Sequence, residues 1–101
     1  MTFVHNILAA YTEFDLDGVD VDWEYPGRLA PGNQWNSSDA DNLLLFLQLL
    51  RFHLPPSARI SAAVETTVFT GDAGKPMVDV SRFASVLDWV LLMNYDVWGC
   101  E

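Results

Sequence analysis

A half-apolar chain whose helical and extended segments alternate predicts an α/β architecture with parallel strands. Two observations carry that expectation. The segments run helix, strand, helix, strand, short helix, strand, and each strand is either very apolar or flanked by helices. Such an order implies parallel strands joined by right-handed crossovers. It leaves open whether the sheet is doubly wound or closed into a barrel. The 101 residues, 50% hydrophobic, suffice for one modest core and exclude disorder and membrane spans by composition. No internal repeat or low-complexity tract interrupts them.

Phe3, Ile7, Ala10, Tyr11 and Phe14 recur at helical spacing and predict an amphipathic helix packed on something larger. Asp15 to Gly18 reads as a turn, and β-branched Val19 and Val21 predict a strand over residues 19–23. Pro26, Gly27, Pro31 and Gly32 punctuate a polar loop reaching Ser38. Ser38 with Asp41 three residues later is close to a capping box, and Leu43, Phe46, Leu47 and Leu50 then share one face. That helix must stop by Pro55 and Pro56, because proline lacks the N–H and disfavours a helical residue before it. Residues 60–64 predict a short buried strand. Residues 66–76 read as a loop with Gly71 and Gly74, residues 79–85 as about two helical turns, and residues 89–93 as a continuous apolar strand.

The formal charge is −9, from 14 acids against 5 bases. A surface of that sign repels nucleic-acid phosphates and anionic membranes but is indifferent to a neutral polysaccharide. Cys100 is the one cysteine, so no internal disulfide forms, and no Cys/His cluster has metal-ligand spacing. The stretch from Met1 to Asn6 has neither a basic start nor an apolar run, so a signal peptide is not expected in it. The protein is then expected to be cytosolic or the chain to lack its true start. Asn36-Ser37-Ser38 is a glycosylation sequon that would matter only in a secreted protein.

The informative stretch runs from Asp17 to Glu24. Side chains alternate along a strand, so Asp20, Asp22 and Glu24 share one face while Val19, Val21 and Trp23 take the other. Three carboxylates within roughly 13 Å, at about 3.3 Å per residue, cannot all ionise cheaply on an enclosed face. A carboxylic acid kept protonated beside ionised ones is what a general acid needs to protonate a glycosidic oxygen. The same row also fits a solvated acidic edge strand or a site for calcium or magnesium. A calcium loop, however, wants a mid-loop glycine and several oxygen ligands on a flexible turn, not alternation on a valine-rich strand. Metal binding is thus the runner-up for the chemistry, and the expectation is of no metal or cofactor.

Asp17, Asp20, Asp22 and Glu24 match the D-x-x-D-x-D-x-E signature of glycoside hydrolase family 18, the chitinases, with its flanking glycine, tryptophan and tyrosine at Gly18, Trp23 and Tyr25. Met93-Asn94-Tyr95-Asp96 is similar to that family's M-x-Y-D element, and Ser61-Ala62-Ala63-Val64 resembles its intermediate barrel strand. The resemblance covers nearly the whole chain, as an internal segment of a catalytic domain. It implies a (β/α)8 TIM barrel with functional residues at the C-terminal strand ends. The strands near 18–24, 60–65 and 89–95 would be the fourth, fifth and sixth of eight, about three βα units. A full barrel takes roughly 250 residues, so over half would be absent.

What the resemblance implies chemically is substrate-assisted, retaining hydrolysis of β-1,4-linked N-acetylglucosamine polymers, an exception to the usual two-carboxylate scheme. Glu24 would be the proton donor. Asp22 would accept a hydrogen bond from the acetamido N–H, Asp20 would share a proton with Asp22, and Tyr95 would orient the acetamido carbonyl. Met93, on the same face as Tyr95, would line the interior beneath the sugar or serve as a core methionine, and Asp96 would bind sugar hydroxyls or cap the strand end; Tyr25, Trp35 and Trp98, by their place in or beside post-strand loops, would cover sugar rings or equally pack. Asp17 has the opposite parity and reads as a turn or strand-start residue. Trp23 and Trp89 are expected to be structural, and His5 and His53 structural or exposed on helices. Chitin or chito-oligosaccharide is the expected partner, with no nucleic acid and no membrane, in an extracellular setting for the complete protein. A lectin-like chitin-binding relative and an inactive truncated product are the rival expectations, and the presence of Glu24 favours the enzyme over the lectin.

Overall fold

The computed structural model of the chain describes residues 2–24, 26, 36–71 and 75–95. Among these residues three helices and three strands alternate: α1 (Thr2–Glu13), β1 (Gly18–Asp22), α2 (Asp39–His53), β2 (Arg59–Val64), α3 (Ser81–Ala84) and β3 (Trp89–Leu92). The strands form one parallel sheet in the order β1-β2-β3. Gly18 pairs with Arg59 and Asp22 with Ala63, while Ser61 pairs with Trp89 and Val64 with Leu92.

Hydrophobic burial on one face of β2 holds α2 against the sheet. Ile60, Ala62 and Val64 alternate along β2 and meet Leu43, Leu44, Leu47 and Leu50 of α2 in a single buried cluster. Each fully buried leucine contributes about 1.5–3 kcal/mol relative to an exposed one. Val19 and Val21 bring the same face of β1 to this cluster, and Phe69 stacks on Phe83 beneath the far side, centroids 3.8 Å apart. Helix α2 ends where the two prolines require, with Leu54 already extended at ψ 155°.

The turn between α1 and β1 is a Schellman motif. Asp15 takes the left-handed φ of 52°, the Leu16 N–H donates to the Tyr11 carbonyl at 3.0 Å, and the Asp15 N–H donates to Thr12 at 3.4 Å. Strand β1 then starts at Gly18, where a β-carbon would collide with the Arg59 carbonyl oxygen. Glycine at that point lets the two strands approach.

Several sequence expectations need correction. The packed face of α1 carries Val4, Ile7, Leu8 and Tyr11, not Phe3 and Phe14; Phe3 is 64% exposed and stacks nearly parallel on Phe46 of α2, with centroids 5.3 Å apart. Spacing alone did not distinguish the two overlapping apolar stripes. The capping box does not form. Ser38 makes no side-chain cap bond; Asn36 Oδ1 accepts the Ser38 N–H at 2.8 Å, and Asp39 Oδ2 accepts the Asn36 N–H at 3.2 Å. The two turns expected over 79–85 shrink to the single turn of α3, because Asp79 Oδ1 engages the Ser81 N–H at 2.9 Å and so starts the helix two residues later.

At the N-terminal ends of the strands a clamp joins β2, β3 and α2. Asp88 Oδ2 accepts hydrogen bonds from the Ile60 N–H and Arg51 Nη2, both at 2.8 Å, and Arg59 Nη1 lies 3.3 Å from Oδ1. Arg51 also donates to the carbonyls of Val86 and Ala58 at 2.7 Å each. The Ile60 N–H, then Arg51 and Arg59, hold the Asp88 carboxyl down to about 2, against the opposing effect of partial desolvation. A depressed folded-state value means the stabilisation is complete above the ordinary carboxylate range and is lost as pH falls through about 2. Asp88→Asn is therefore expected to lower the unfolding midpoint at pH 7, with the gap to wild type narrowing below pH ~4 and closing near pH ~2. Urea titrations of both proteins across that range check it.

Candidate active site

The acid row emerges at the opposite, C-terminal end of the sheet. Asp20 and Asp22 lie on the face of β1 turned away from the helices, both exposed, and Glu24 follows two residues beyond the strand's end, also exposed. Val19, Val21 and Trp23 pack toward the helical core. The alternation read from sequence is thus the alternation of the strand. The backbone carbonyl of Asp17 accepts the Arg59 N–H at 3.0 Å just before β1, consistent with its place at the strand start.

Strand register arranges what stands beside the row. Asp20, Ser61 and Trp89 form one cross-strand layer, and Asp22, Ala63 and Leu91 the next. Side chains of paired residues in parallel strands emerge on the same face. The serine and alanine of the central strand are small, so they leave the carboxylates of β1 uncovered from that side. Ser61 is buried, and its hydroxyl donates to Asp20 Oδ1 at 2.8 Å across the strands. Trp89 thus sits half-exposed on the acid face, whereas the sequence had placed it only as a structural residue.

Met93 is buried, and its N–H donates to the Val64 carbonyl at 2.8 Å, which carries the β2–β3 pairing one residue past the strand. Tyr95 has the same parity two residues further on and is exposed. Both therefore stand at the strand end shared by Glu24. The loop after β2 turns back at the same end, where Val68 adopts a left-handed φ of 65° and its N–H donates to the Glu65 carbonyl at 2.8 Å. Tyr25, Trp35, Asp96 and Trp98 lie outside the described residues. Among the described residues no group of three or more His, Cys, Asp or Glu is arranged to hold a metal ion, and no helix is long and apolar enough to cross a membrane.

Ser61 is the residue that sequence reading passed over. Its signal was present: a lone hydroxyl in the run Ile60 to Val64, out of phase with the buried Ile60, Ala62 and Val64, faces the side on which the acids stand.

Residues 1–100 match the family described as Glycosyl hydrolases family 18. The chain belongs to glycoside hydrolase family 18. Among relatives, a chitinase-like effector of Moniliophthora perniciosa is 45% identical over 101 residues, covering 97% of this chain and 23% of the relative. One of Moniliophthora roreri, also named a chitinase-like effector, is 41% identical over 96% of this chain and 24% of its own length. The chain thus spans about a quarter of the length of these curated relatives. A solved chitinase from Rhizomucor miehei superposes with a TM-score of 0.87 at 33% identity, covering 94% of this chain and 31% of that one. The group IV chitinase of Ostrinia furnacalis, solved in complex with allosamidin, superposes with a TM-score of 0.73 at 28% identity, over 96% of this chain and 25% of that one. The three parallel strands and their helices are a segment of the family's (β/α)8 barrel, and the protein is of the chitinase-like glycoside hydrolase kind.

Proposed function

We propose that the complete barrel carrying these residues hydrolyses β-1,4-linked N-acetylglucosamine polymers with retention of configuration, the substrate's own acetamido group acting as nucleophile. The observation that carries this reading is the single-faced row Asp20, Asp22, Glu24 at the C-terminal end of a parallel strand of a family 18 chain. In this scheme the acetamido carbonyl oxygen attacks the anomeric carbon and forms an oxazolinium ion. Glu24 donates its proton to the leaving glycosidic oxygen, then removes a proton from the water that opens the ring. Two inversions at one carbon give net retention.

Asp22 accepts the acetamido N–H and offsets the positive charge of the oxazolinium, while Asp20, next inward on the same face, shares a proton with it. Tyr95 directs its hydroxyl to the acetamido carbonyl and Met93 forms the apolar floor beside it. Asp96, Tyr25 and Trp98 complete the sugar contacts in this proposal. The partner is chitin or a chito-oligosaccharide, met outside the cell.

A second reading, binding of chitin without cleavage, stands beside it, because the two relatives are named chitinase-like effectors and not chitinases. Retention of a proton donor at Glu24 supports hydrolysis over it. The test is incubation of the complete barrel with chitohexaose, following the first-formed product by proton NMR. The β-anomer is expected first, at a rate indifferent to a chelator. An α-anomer first, or a chelator-sensitive rate restored by calcium or magnesium, would reject the substrate-assisted scheme, and binding without product would select the second reading.

A further inference from the structure

We propose that Asn36 is a site of N-linked glycosylation, whose glycan stands at the rim of the strand end that carries the acid row. The inference goes beyond hydrolysis and rests on the extracellular setting proposed above. Asn36-Ser37-Ser38 supplies the acceptor pattern, with serine and not proline in the middle. Such tripeptides arise by chance, so the pattern alone decides nothing, and the fold adds what it lacks.

All three residues are exposed, as a bulky surface modification requires. The other polar groups of Asn36 are engaged. Its N–H donates to Asp39 Oδ2 at 3.2 Å, its carbonyl accepts the Asp39 N–H at 3.1 Å, and its Oδ1 accepts the Ser38 N–H at 2.8 Å. The last of these is an Asx turn, and it fixes which end of the amide is which, since only the oxygen can accept from an N–H. Nδ2 is then the one polar group of Asn36 with no hydrogen bond among the described residues. The Ser38 hydroxyl is spared as well. It makes no cap bond to α2, whose start is satisfied by Asn36 and Asp39. The acceptor amide and the hydroxyl two residues on are thus presented together at the surface.

Topology sets where the glycan would stand. Helix α2 runs back between two parallel strands, so it starts at their C-terminal end, where the chain returns after Glu24. Ser37 lines a depression of about 300 Å³ there with Gly71, Pro76, Met77 and Val78 from the loop after β2. Val78 is fully exposed. A sugar linked to Asn36 would stand beside that apolar loop, next to the opening of the complete barrel and outside the acid row. The transfer itself needs only an acceptor from this chain. Nδ2 attacks the anomeric carbon of a lipid-diphosphate-linked oligosaccharide; the C1–Nδ2 bond forms, the C1–O bond to phosphate breaks, Nδ2 loses one proton, and the lipid diphosphate leaves with the bonding pair. Nothing is oxidised or reduced.

The test expresses the complete protein in a secreting eukaryotic host behind a supplied leader, with a second sequon appended as a control. Digestion with an amidase that releases the glycan and converts its asparagine to aspartate, read by peptide mass spectrometry, is expected to mark Asn36. Asn36→Gln and Ser38→Ala are expected to lose the mass of one glycan, while Ser38→Thr keeps it. Ser38→Ala retains the backbone N–H that holds Oδ1 and removes no cap bond, so its loss of the glycan reads the hydroxyl and not the fold. A marked control sequon beside an unmarked Asn36 would overturn the proposal, as would a glycan on Asn36 that persists in Ser38→Ala. The extracellular reading is tested apart from it, by locating the complete protein in its own host without a supplied leader. Retention inside the cell would sink that reading, whatever Asn36 accepts behind the leader.

Discussion

In the complete barrel, Glu24→Gln is expected to lower kcat by ~10² or more while oligosaccharide binding stays within a few-fold of wild type. The amide matches the carboxyl in shape and keeps a hydrogen-bond donor toward the glycosidic oxygen. It cannot give up a proton. Departure of an unprotonated sugar alkoxide is then the step that slows, and the attack by the acetamido oxygen stalls with it. Isothermal titration with chitotetraose measures the binding, and release of a chromophore from an aryl chito-oligosaccharide measures kcat. A Gln variant retaining more than about a tenth of wild-type kcat would show that Glu24 is not the proton donor. Equal binding by both proteins with turnover in neither would leave a chitin-binding module.

The parts of this molecule that were legible in sequence are those whose physics is local. Alternation fixes which side of β1 each acid takes, so Asp20, Asp22 and Glu24 were separable from Val19, Val21 and Trp23 without coordinates. The end of α2 was equally readable, since Pro55 and Pro56 act on the backbone directly before them. What was not legible depends on partners distant in the chain. Asp88 reads as a loop acid until β2 and β3 are paired, when it meets Arg51, 37 residues earlier, and the N–H of Ile60. The capping box failed because Asn36 and Asp39 satisfied the helix start by another local pattern, with nothing in the sequence to rank the two. The Ser61–Asp20 bond needed the register of two strands joined by a long crossover. Family resemblance supplied the barrel, which alternation alone left undecided.

The isolated 101 residues are expected neither to hydrolyse chito-oligosaccharides nor to persist as a monomer. A parallel strand reads as a continuous apolar run because the complete fold covers both of its faces. In β3 that cover is missing among the described residues: Leu91 is 51% exposed and Leu92 58%, with Trp89 and Val90 exposed beside them. As an edge strand it also offers unpaired N–H and C=O groups. The other edge is no better protected. Along β1 a groove of about 400 Å³ opens between α1 and α2, where Phe3, Ile7, Val19, Val21, Trp23 and Phe46 stand beside the carboxylates of Asp20 and Asp22. Two open edges on one small sheet, that of β3 wholly apolar, are templates for association, and barrel closure is the device that removes them. The acid row loses in parallel, for Asp20, Asp22 and Glu24 all face solvent where a complete barrel would set an opposing wall. In the proposed scheme that wall would exclude water from the glycosidic oxygen and hold the sugar against Tyr95. The net charge of −9 opposes association only over about a Debye length, so added salt is expected to increase it. Sedimentation velocity at low and high salt, urea unfolding, and the chromogenic assay with Glu24→Gln as control decide the matter. A cooperative monomeric transition, together with turnover that disappears in the control, would show that three strands of the barrel are enough.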